Sequence, residues 1–380
     1  MFKIEIKGVE FNNKGAELML LSIIQALDIH LHTYQLVLSP GHLLPYEKRA
    51  KLGAWQKFSF SFFGIDWTWL GNLFPTKIRK MLHHFGIIVE KDIDIVLDAS
   101  GFVYSDEWGE NRLKKTLKQL TKMQKNGQCY IFLPQAFGPF TGKNDELMQK
   151  IIAKSQLIIT RDQVSYKHVS LLAKRGEALC FPDFTTLLSV NKISLPEHLP
   201  TKYVCVIPNH KMFSQKSPAD KKCYIQFLIT SIKAIEECGL TPVLLNHEGK
   251  EDYDICLTIV EQNKNKLIIL NELDALKVKK VIAQSFFCIS SRFHGCISSL
   301  SQGVPAISTS WSHKYEELYR SYQCEDFLLE TTISKVELLK KIEKIINQRE
   351  QQSRKLLRLS QIHNNQCKAM WKIVFDKMQT

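Results

Sequence analysis

Apolar and polar residues alternate strictly at the start of the chain, with Phe2, Ile4 and Ile6 set against Lys3, Glu5 and Lys7. A period of two predicts a strand. Asn12-Asn13-Lys14-Gly15 follows, and over 16–27 the apolar positions recur at helical spacing. Strand, Gly/Asn turn and helix open a βαβ unit. The rhythm repeats as strand 93–99, helix 110–126, strand 129–133, helix 144–154, strand 156–160 and helix 162–174. Over 189–202 it lapses into polar residues with Pro196 and Pro200, which reads as a linker between domains. It then resumes with strand 203–207, helix 219–238, strand 241–245, helix 251–262, strand 267–270, helix 273–280, strand 286–290, helix 295–301 and strand 304–308. Residues 334–380 lack Gly and Pro and are helical in pattern.

Repeated β–α alternation predicts an α/β fold with mostly parallel sheets covered by helices on both faces. Two such halves, a linker and terminal helices together predict two Rossmann-like domains of the glycosyltransferase-B-like kind, closed by C-terminal helices. The cleft that the halves would face is inferred from that architecture. The expected domains are 1–190, with an insertion at 41–90, then 200–345, then terminal helices over 346–380. The 380-residue length agrees with two domains. At 44% hydrophobic and 23% charged residues, the composition excludes a disordered, collagenous or coiled-coil chain.

One stretch breaks the alternation. Residues 55–74 carry Trp55, Phe58, Phe60, Phe62, Phe63, Trp67, Trp69 and Phe74, with Asp66 and two glycines among them. The apolar run falls short of a membrane span. Aromatics between basic flanks predict an interfacial segment or, alternatively, packing of the first domain or a buried acceptor-side insertion. The net charge of +13 bears on this choice. Residues 48–80 hold seven Lys or Arg and one Asp, and 334–380 hold eleven Lys or Arg and four Asp or Glu. The excess therefore lies on the aromatic segment and the terminal helices, which suits an anionic membrane surface. No nucleic-acid-binding signature appears. The ten cysteines form no C-x-x-C pair, so neither a zinc ribbon nor a disulfide framework is expected, and a reducing compartment is. The charges of the first strand exclude a signal-peptide h-region there, so the expected location is cytoplasmic.

The candidate chemistry lies where strands end. Ile289-Ser290-Ser291-Arg292-Phe293-His294-Gly295 closes a buried strand and opens a helix expected near Gly295. In open α/β sheets ligands bind at the carboxyl ends of strands, and a helix start favours an anion. Arg292 offers a planar fork for carboxylate or phosphate, and His294 a proton near neutral pH. The structural alternative is an Arg paired to a carboxylate and a His capping the helix. Thr160-Arg161-Asp162 repeats the arrangement, with Asp162 a helix cap and an Arg–Asp pair the structural alternative. Pro134-Gln135-Ala136-Phe137-Gly138-Pro139 and Asp98-Ala99-Ser100-Gly101 are turn-rich ends of strands. Ser312-His313-Lys314 and Asn246-His247-Glu248, with Asp252 and Asp254 beyond, also follow strands; a lone His such as His247 reads as structural.

Taken in order, these segments resemble the polysaccharide pyruvyl transferase family. The likeness rests on Asn12-Asn13-Lys14-Gly15-Ala16-Glu17, Pro134-Gln135 with Gly138-Pro139, Thr160-Arg161-Asp162 with Ser165, and Pro182-Asp183. It continues through Ser291-Arg292-Phe293-His294-Gly295, Gly303-Val304-Pro305 and His313-Lys314, so that it spans about 3–345. It departs at Asp98-Ala99-Ser100-Gly101, where many relatives have a glycine-richer turn. The resemblance implies a ketal-forming transfer of pyruvate from phosphoenolpyruvate to a sugar of a surface polysaccharide or its lipid-linked precursor. Arg161, Arg292, Phe293, His294, Gly295 and Lys314 would then hold the donor, with Arg292 and His294 at the chemistry. His294 would give the proton or contact the phosphate. Asn13, Glu17, Asp98, Gln135 and Asp183 are the acceptor-side candidates, in the first domain. No metal or cofactor beyond the donor substrate is expected. The implied partners are phosphoenolpyruvate, a sugar or lipid-linked oligosaccharide, and an anionic membrane at its inner face. Two other readings of the architecture are a glycosyltransferase or nucleotide-sugar epimerase, and a non-catalytic carbohydrate- or membrane-binding protein.

Overall fold

The structure, a computed structural model, describes residues 1–63, 65–173, 178–213, 217–263, 266–310 and 312–379. Gly64 and the side chain of Asp66, in the aromatic stretch, and Lys174, at the end of the expected helix 162–174, lie outside this description. The chain divides into two units. The first comprises Met1–Phe11, Met19–Asp183 and Gln366–Thr380, and the second Asn12–Leu18 and Phe184–Asn365. The break between them falls at 183/184, ahead of the expected linker, and two short segments are grouped apart from their chain neighbours.

The strands of the first unit are β1 (Phe2–Lys7), β2 (Tyr34–Leu38), β3 (Trp55–Lys57), the hairpin β4 (Ser61–Phe62) and β5 (Ile65–Asp66), β6 (Ile87–Ile88), β7 (Ile95–Asp98), β8 (Cys129–Gln135), β9 (Leu157–Thr160) and β10 (Ala178–Cys180). All but the hairpin form one eight-stranded parallel sheet in the order β10-β9-β8-β7-β1-β2-β3-β6. β7 is buried along its whole length, as a sheet covered on both faces requires. Strand order reverses between β1 and β7. At this switch point Gly8 has φ +79° and its Cα lies so close to Ser100 that any side chain would meet that residue's backbone.

The second unit contains β11 (Tyr203–Ile207), β12 (Thr241–Leu245), β13 (Ile268–Leu270), β14 (Cys288–Ser290), β15 (Ala306–Thr309) and β16 (Leu328–Leu329). They form a parallel six-stranded sheet in the order β13-β12-β11-β14-β15-β16. Its switch point lies between β11 and β14, both fully buried. One apolar core runs from the strands to helices Pro218–Glu237, Ala275–Gln284, Phe293–Leu300 and Lys335–Asn347. The helix Arg349–Gln379 ends the chain. From Gln366 onward it is grouped with the first unit, where the Cys367 thiol lies 3.6 Å from the carbonyls of Pro182 and Asp183.

The segment expected to be an insertion at 41–90 extends the first sheet through β3 and β6 and carries helices Tyr46–Lys51 and Thr76–His84. Its aromatics divide into two sets. Phe58 packs edge-on against Phe74, and a Cβ at Gly71 would lie 2.7 Å from the Phe58 ring. Phe60, Phe62, Phe63 and Trp69 are exposed instead, Phe63 to 89%. So are Ile78, Met81 and Phe85, three and four residues apart along the helix Thr76–His84 and its C-cap. Positions i, i+3 and i+7 share one helix face. Lys77 and Lys80 are exposed on the same helix, whereas Arg79 pairs with Asp92.

Candidate functional site

In the second unit the strand β14 delivers Ser291 and Arg292 to the carboxyl edge of the sheet at its switch point. Arg292 is the N-cap residue of the helix Phe293–Leu300. The helix thus begins two residues before the expected Gly295, which places His294 within the first turn. Ser290 shapes the turn: its hydroxyl accepts the Arg292 N–H at 3.1 Å and donates to the Arg292 carbonyl at 3.0 Å. A Cβ at Gly295 would fall on that hydroxyl, so the helix can start here only with glycine.

The Arg292 guanidinium is almost wholly buried and is held by two carboxylates. Its Nε and Nη2 donate to the two oxygens of Asp252 at 2.7 and 2.5 Å, a bidentate fork. Nη1 pairs with Glu248. Nη2 also lies 3.0 Å from Nδ1 of His210, which follows β11. Asp252 accepts the His210 backbone N–H at 2.9 Å as well. Burial alone would raise the Asp252 pKa, but the hydrogen bonds from His210 and the charge of Arg292 outweigh it and hold the carboxyl below its ordinary value. Burial likewise opposes the charged form of Arg292, and the two carboxylates overcome it. Arg292, a donor candidate from its place in the sequence, is thus paired with two carboxylates.

The remaining donor-side candidates gather beside it. The Phe293 ring stands edge-on to His294 at 5.5 Å and to Tyr315 at 5.6 Å. Lys314, from the helix His313–Ser321, places its ammonium 5.4 Å from the Phe293 centroid. The Tyr315 hydroxyl donates to the Ser291 carbonyl at 2.7 Å and fixes the turn from the other side. Phe293, His294, Gly295 and Lys314 are therefore one cluster.

Two residues expected on the acceptor side of the first domain belong to this second unit. Asn13 caps the helix Lys14–His30, accepting the Gly15 N–H at 2.9 Å, while its Nδ2 donates to Glu248 at 2.9 Å. Asn13 and Glu248 also form an isolated antiparallel bridge, and the Lys14 N–H donates to the His247 carbonyl at 3.2 Å. Glu17 takes the Lys14 ammonium at 3.1 Å. Gly15 lies against the imidazole of His294. His247 is buried, and neither ring nitrogen has a hydrogen-bond partner among the described residues. Burial, followed by the charges of Arg292 and His294, holds its pKa down to about 3, so it stays neutral.

Glu248 and Asp252, named in the sequence only as residues beyond the end of a strand, take part in the site as the partners of Arg292. His210 joins them without having been singled out; it follows β11 as Arg292 follows β14, and that shared position is the signal that could have marked it.

The first unit holds a separate group at its own switch point. Asp98 is fully buried and saturated: Ser100 donates its N–H and hydroxyl at 3.0 and 2.6 Å, and the hydroxyls of Tyr104 and Tyr130 donate at 2.6 and 2.5 Å. Lys7 lies 3.9 Å away. Burial acts to raise the Asp98 pKa, but Lys7 and these donors lower it on balance. Its carboxylate is thus engaged by side chains and backbone of the first unit itself. Gln135, also buried, donates to the Asp98 carbonyl at 3.0 Å. Arg161 and Asp183 approach to 3.8 Å in one buried ion pair. Asp162 caps its helix as expected, accepting the Ser165 N–H at 2.7 Å, and the Ser165 hydroxyl accepts the Phe137 N–H. Among the described residues no cluster of His, Cys, Asp and Glu is arranged to hold a metal ion.

A family model described as polysaccharide pyruvyl transferase matches residues 13–313, a range that includes Arg292, His294, Asp98 and Arg161 and stops one residue short of Lys314. No curated protein matches the sequence. Among solved structures the chain is similar to the UDP-GlcNAc 2-epimerase of Neisseria meningitidis bound to UDP-GlcNAc, at 11% identity over 99% of this chain and 100% of that one, with a TM-score of 0.65. It is also similar to a glycosyltransferase of Rickettsia africae ESF-5, at 11% identity over 98% of both chains and a TM-score of 0.61. The UDP-GlcNAc 2-epimerase of Methanocaldococcus jannaschii matches at 11% identity over 90% of this chain and 92% of that one, with a TM-score of 0.56. These likenesses establish the architecture of two parallel-sheet α/β domains with C-terminal helices.

Proposed function

Because the chain belongs to the polysaccharide pyruvyl transferase family, we propose that it moves pyruvate from phosphoenolpyruvate onto two hydroxyls of a sugar in a surface polysaccharide or its lipid-linked precursor. The observation that carries this reading is the cluster of Arg292, Phe293, His294 and Lys314 at the switch point of the second sheet. The donor is a dianionic phosphate with a carboxylate beside it. Two cations and a helix start suit such a ligand.

His294 protonates the methylene carbon of the enol and leaves the neighbouring carbon electrophilic. One sugar hydroxyl attacks that carbon and loses its proton. The second hydroxyl then displaces the phosphate, which leaves with a proton as hydrogen phosphate. The products are a cyclic ketal and inorganic phosphate, and the protons balance without an external acid. No redox partner is required. Lys314, lodged on the Phe293 face, supplies a fixed positive charge for the leaving phosphate.

The reading further places the work at an anionic membrane that carries the acceptor. Its support is the exposed stripe of Ile78, Met81 and Phe85 with exposed Lys77 and Lys80 on the same helix, and the exposure of Phe62 and Phe63 elsewhere in the 41–90 segment. Among the described residues no helix is long and apolar enough to cross a membrane.

Calorimetric titration and phosphate release test the donor. Phosphoenolpyruvate is expected to bind, Arg292→Lys to weaken it by about tenfold, and His294→Ala to slow phosphate release by roughly 100-fold or more. A protein that binds a UDP-sugar and does not bind phosphoenolpyruvate would overturn the assignment in favour of an epimerase or glycosyltransferase.

A further inference from the structure

We infer that Glu248 stands in for the donor's anion: its Oε2 occupies the position that an oxygen of the bound donor takes, and donor binding displaces it. This rests on the donor assignment above and adds the group that competes with the donor and a second residue that receives it.

The two carboxylates on Arg292 are not equivalent. Asp252 is wholly buried, lies in the first turn of the helix Gly249–Gln262, and receives two donors from the guanidinium and one from the His210 backbone, with His210 Nδ1 also 3.2 Å from its Oδ1. A carboxylate so placed gains from the helix dipole and from charge-assisted bonds, and it neutralises Arg292 in every state. Glu248 precedes that helix, and its side chain does not cap it. The side chain keeps 18% of its surface exposed, and besides Arg292 it holds, among the described residues, only the neutral amide of Asn13 in a side-chain hydrogen bond. Exchange with a ligand anion is therefore easy at Glu248 and costly at Asp252.

One atom makes both of the Glu248 contacts. Oε2 accepts from Arg292 Nη1 and from Asn13 Nδ2. An anion oxygen replacing it finds both donors already aimed, because the Arg292 fork is locked by Asp252. Asn13 is oriented by its role as cap, its Oδ1 engaged by the Gly15 N–H. His294 lies beside the same segment, against Gly15. Asn13 is thereby a donor contact, and not the acceptor contact that its place in the sequence suggested. The competing carboxylate also gives selectivity: a neutral ligand cannot replace it without leaving Arg292 Nη1 without a negative partner.

The test is titration of the full chain with phosphoenolpyruvate, comparing wild type, Glu248→Gln, Glu248→Ala and Arg292→Lys. Glu248→Gln keeps the shape and an amide oxygen for Asn13 but removes the charge. It is expected to bind phosphoenolpyruvate at least about fivefold more tightly than wild type. Glu248→Ala, which deletes the group altogether, is expected to move in the same direction. A thermal melt of each variant identifies any that fail to fold. If wild type binds and both Glu248 variants bind no better, the stand-in role is overturned while the donor assignment survives. If neither wild type nor Glu248→Gln binds phosphoenolpyruvate, the donor assignment itself falls, and this inference falls with it.

Discussion

Gly15 presses directly against the imidazole of His294: a Cβ on the glycine would fall on the ring beside Nδ1, 2.7 Å from Cγ and 3.0 Å from the His294 Cβ. Backbone conformation does not demand this glycine, since Gly15 has ordinary helical geometry within Lys14–His30. Proximity alone demands it. Gly15→Ala gains helix propensity of about 1 kcal/mol and at the same time drives the ring from its place. The expected outcome is a roughly 100-fold fall in turnover, the size that a displacement of about 1 Å produces, with a melting temperature near that of wild type. Parallel measurement of phosphate release and thermal unfolding checks it. Unchanged turnover would mean that His294 needs no fixed position.

Asp98 belongs to the framework of the first sheet. Two tyrosine hydroxyls and both donors of Ser100 converge on its carboxylate in a fully buried site. Asp98→Asn would turn an NH2 group toward donors, at a cost of about 3 kcal/mol. The stabilisation has a defined pH range. With the folded pKa depressed, it is complete above the ordinary carboxylate range and is lost as pH falls through the folded value. Urea unfolding at neutral pH reads the loss directly. A variant of wild-type stability that no longer accepts the sugar would make Asp98 an acceptor contact instead.

The switch-point clusters explain what the sequence could and could not convey. Arg292 and His294 were legible because an uninterrupted apolar strand, a polar turn and a small-residue helix follow one another within a few positions, and local order of that kind survives folding. The partners of Arg292 were not legible in the same way: Glu248 and Asp252 lie 44 and 40 positions away. Only the pairing of β11 with both β12 and β14 brings them to one edge. The grouping of Asn13 and Glu17 with the second unit was hidden for the same reason. Strands β3, β6 and β16, at two or three residues, are too short to show a period. The first helix runs three residues past the expected 27 because His30 stacks on Phe375, a contact with the far end of the chain.

His247 predicts a specific acid sensitivity. Its folded pKa of about 3 lies below the ordinary imidazole value of about 6.5. Between those values the unfolded chain takes up a proton that the native imidazole refuses. Stability therefore falls as pH drops from about 6.5 toward 3, by about 1.4 kcal/mol per unit from this group, and is unaffected by it above 6.5. Because neither ring nitrogen has a partner among the described residues, His247→Leu removes little hydrogen bonding. Denaturant unfolding at pH 7 and pH 5 is expected to show a smaller acid loss in His247→Leu than in wild type. Equal losses would show that the ring is hydrated and titrates normally.

The exposed face of the first unit makes the charge of the chain testable. Ile78, Met81 and Phe85 form an apolar stripe turned to solvent, and the aromatic pair Phe62 and Phe63 is exposed in the same 41–90 segment. Lys77 and Lys80 remain exposed, whereas the Arg79 guanidinium is tied to Asp92. Each lysine near an anionic surface contributes about 1 kcal/mol, so Lys77→Gln with Lys80→Gln is expected to weaken association with anionic vesicles by roughly 30-fold. Arg79→Gln, although it removes a charge of the same sign two residues from Lys77, is expected to have a much smaller effect. Phe62→Ser with Phe63→Ser weakens binding without altering its dependence on salt, since the aromatic term is apolar and the lysine term is screened. Vesicle flotation at two ionic strengths separates these terms. Association that responds equally to Arg79 and to the lysines would count against an oriented face.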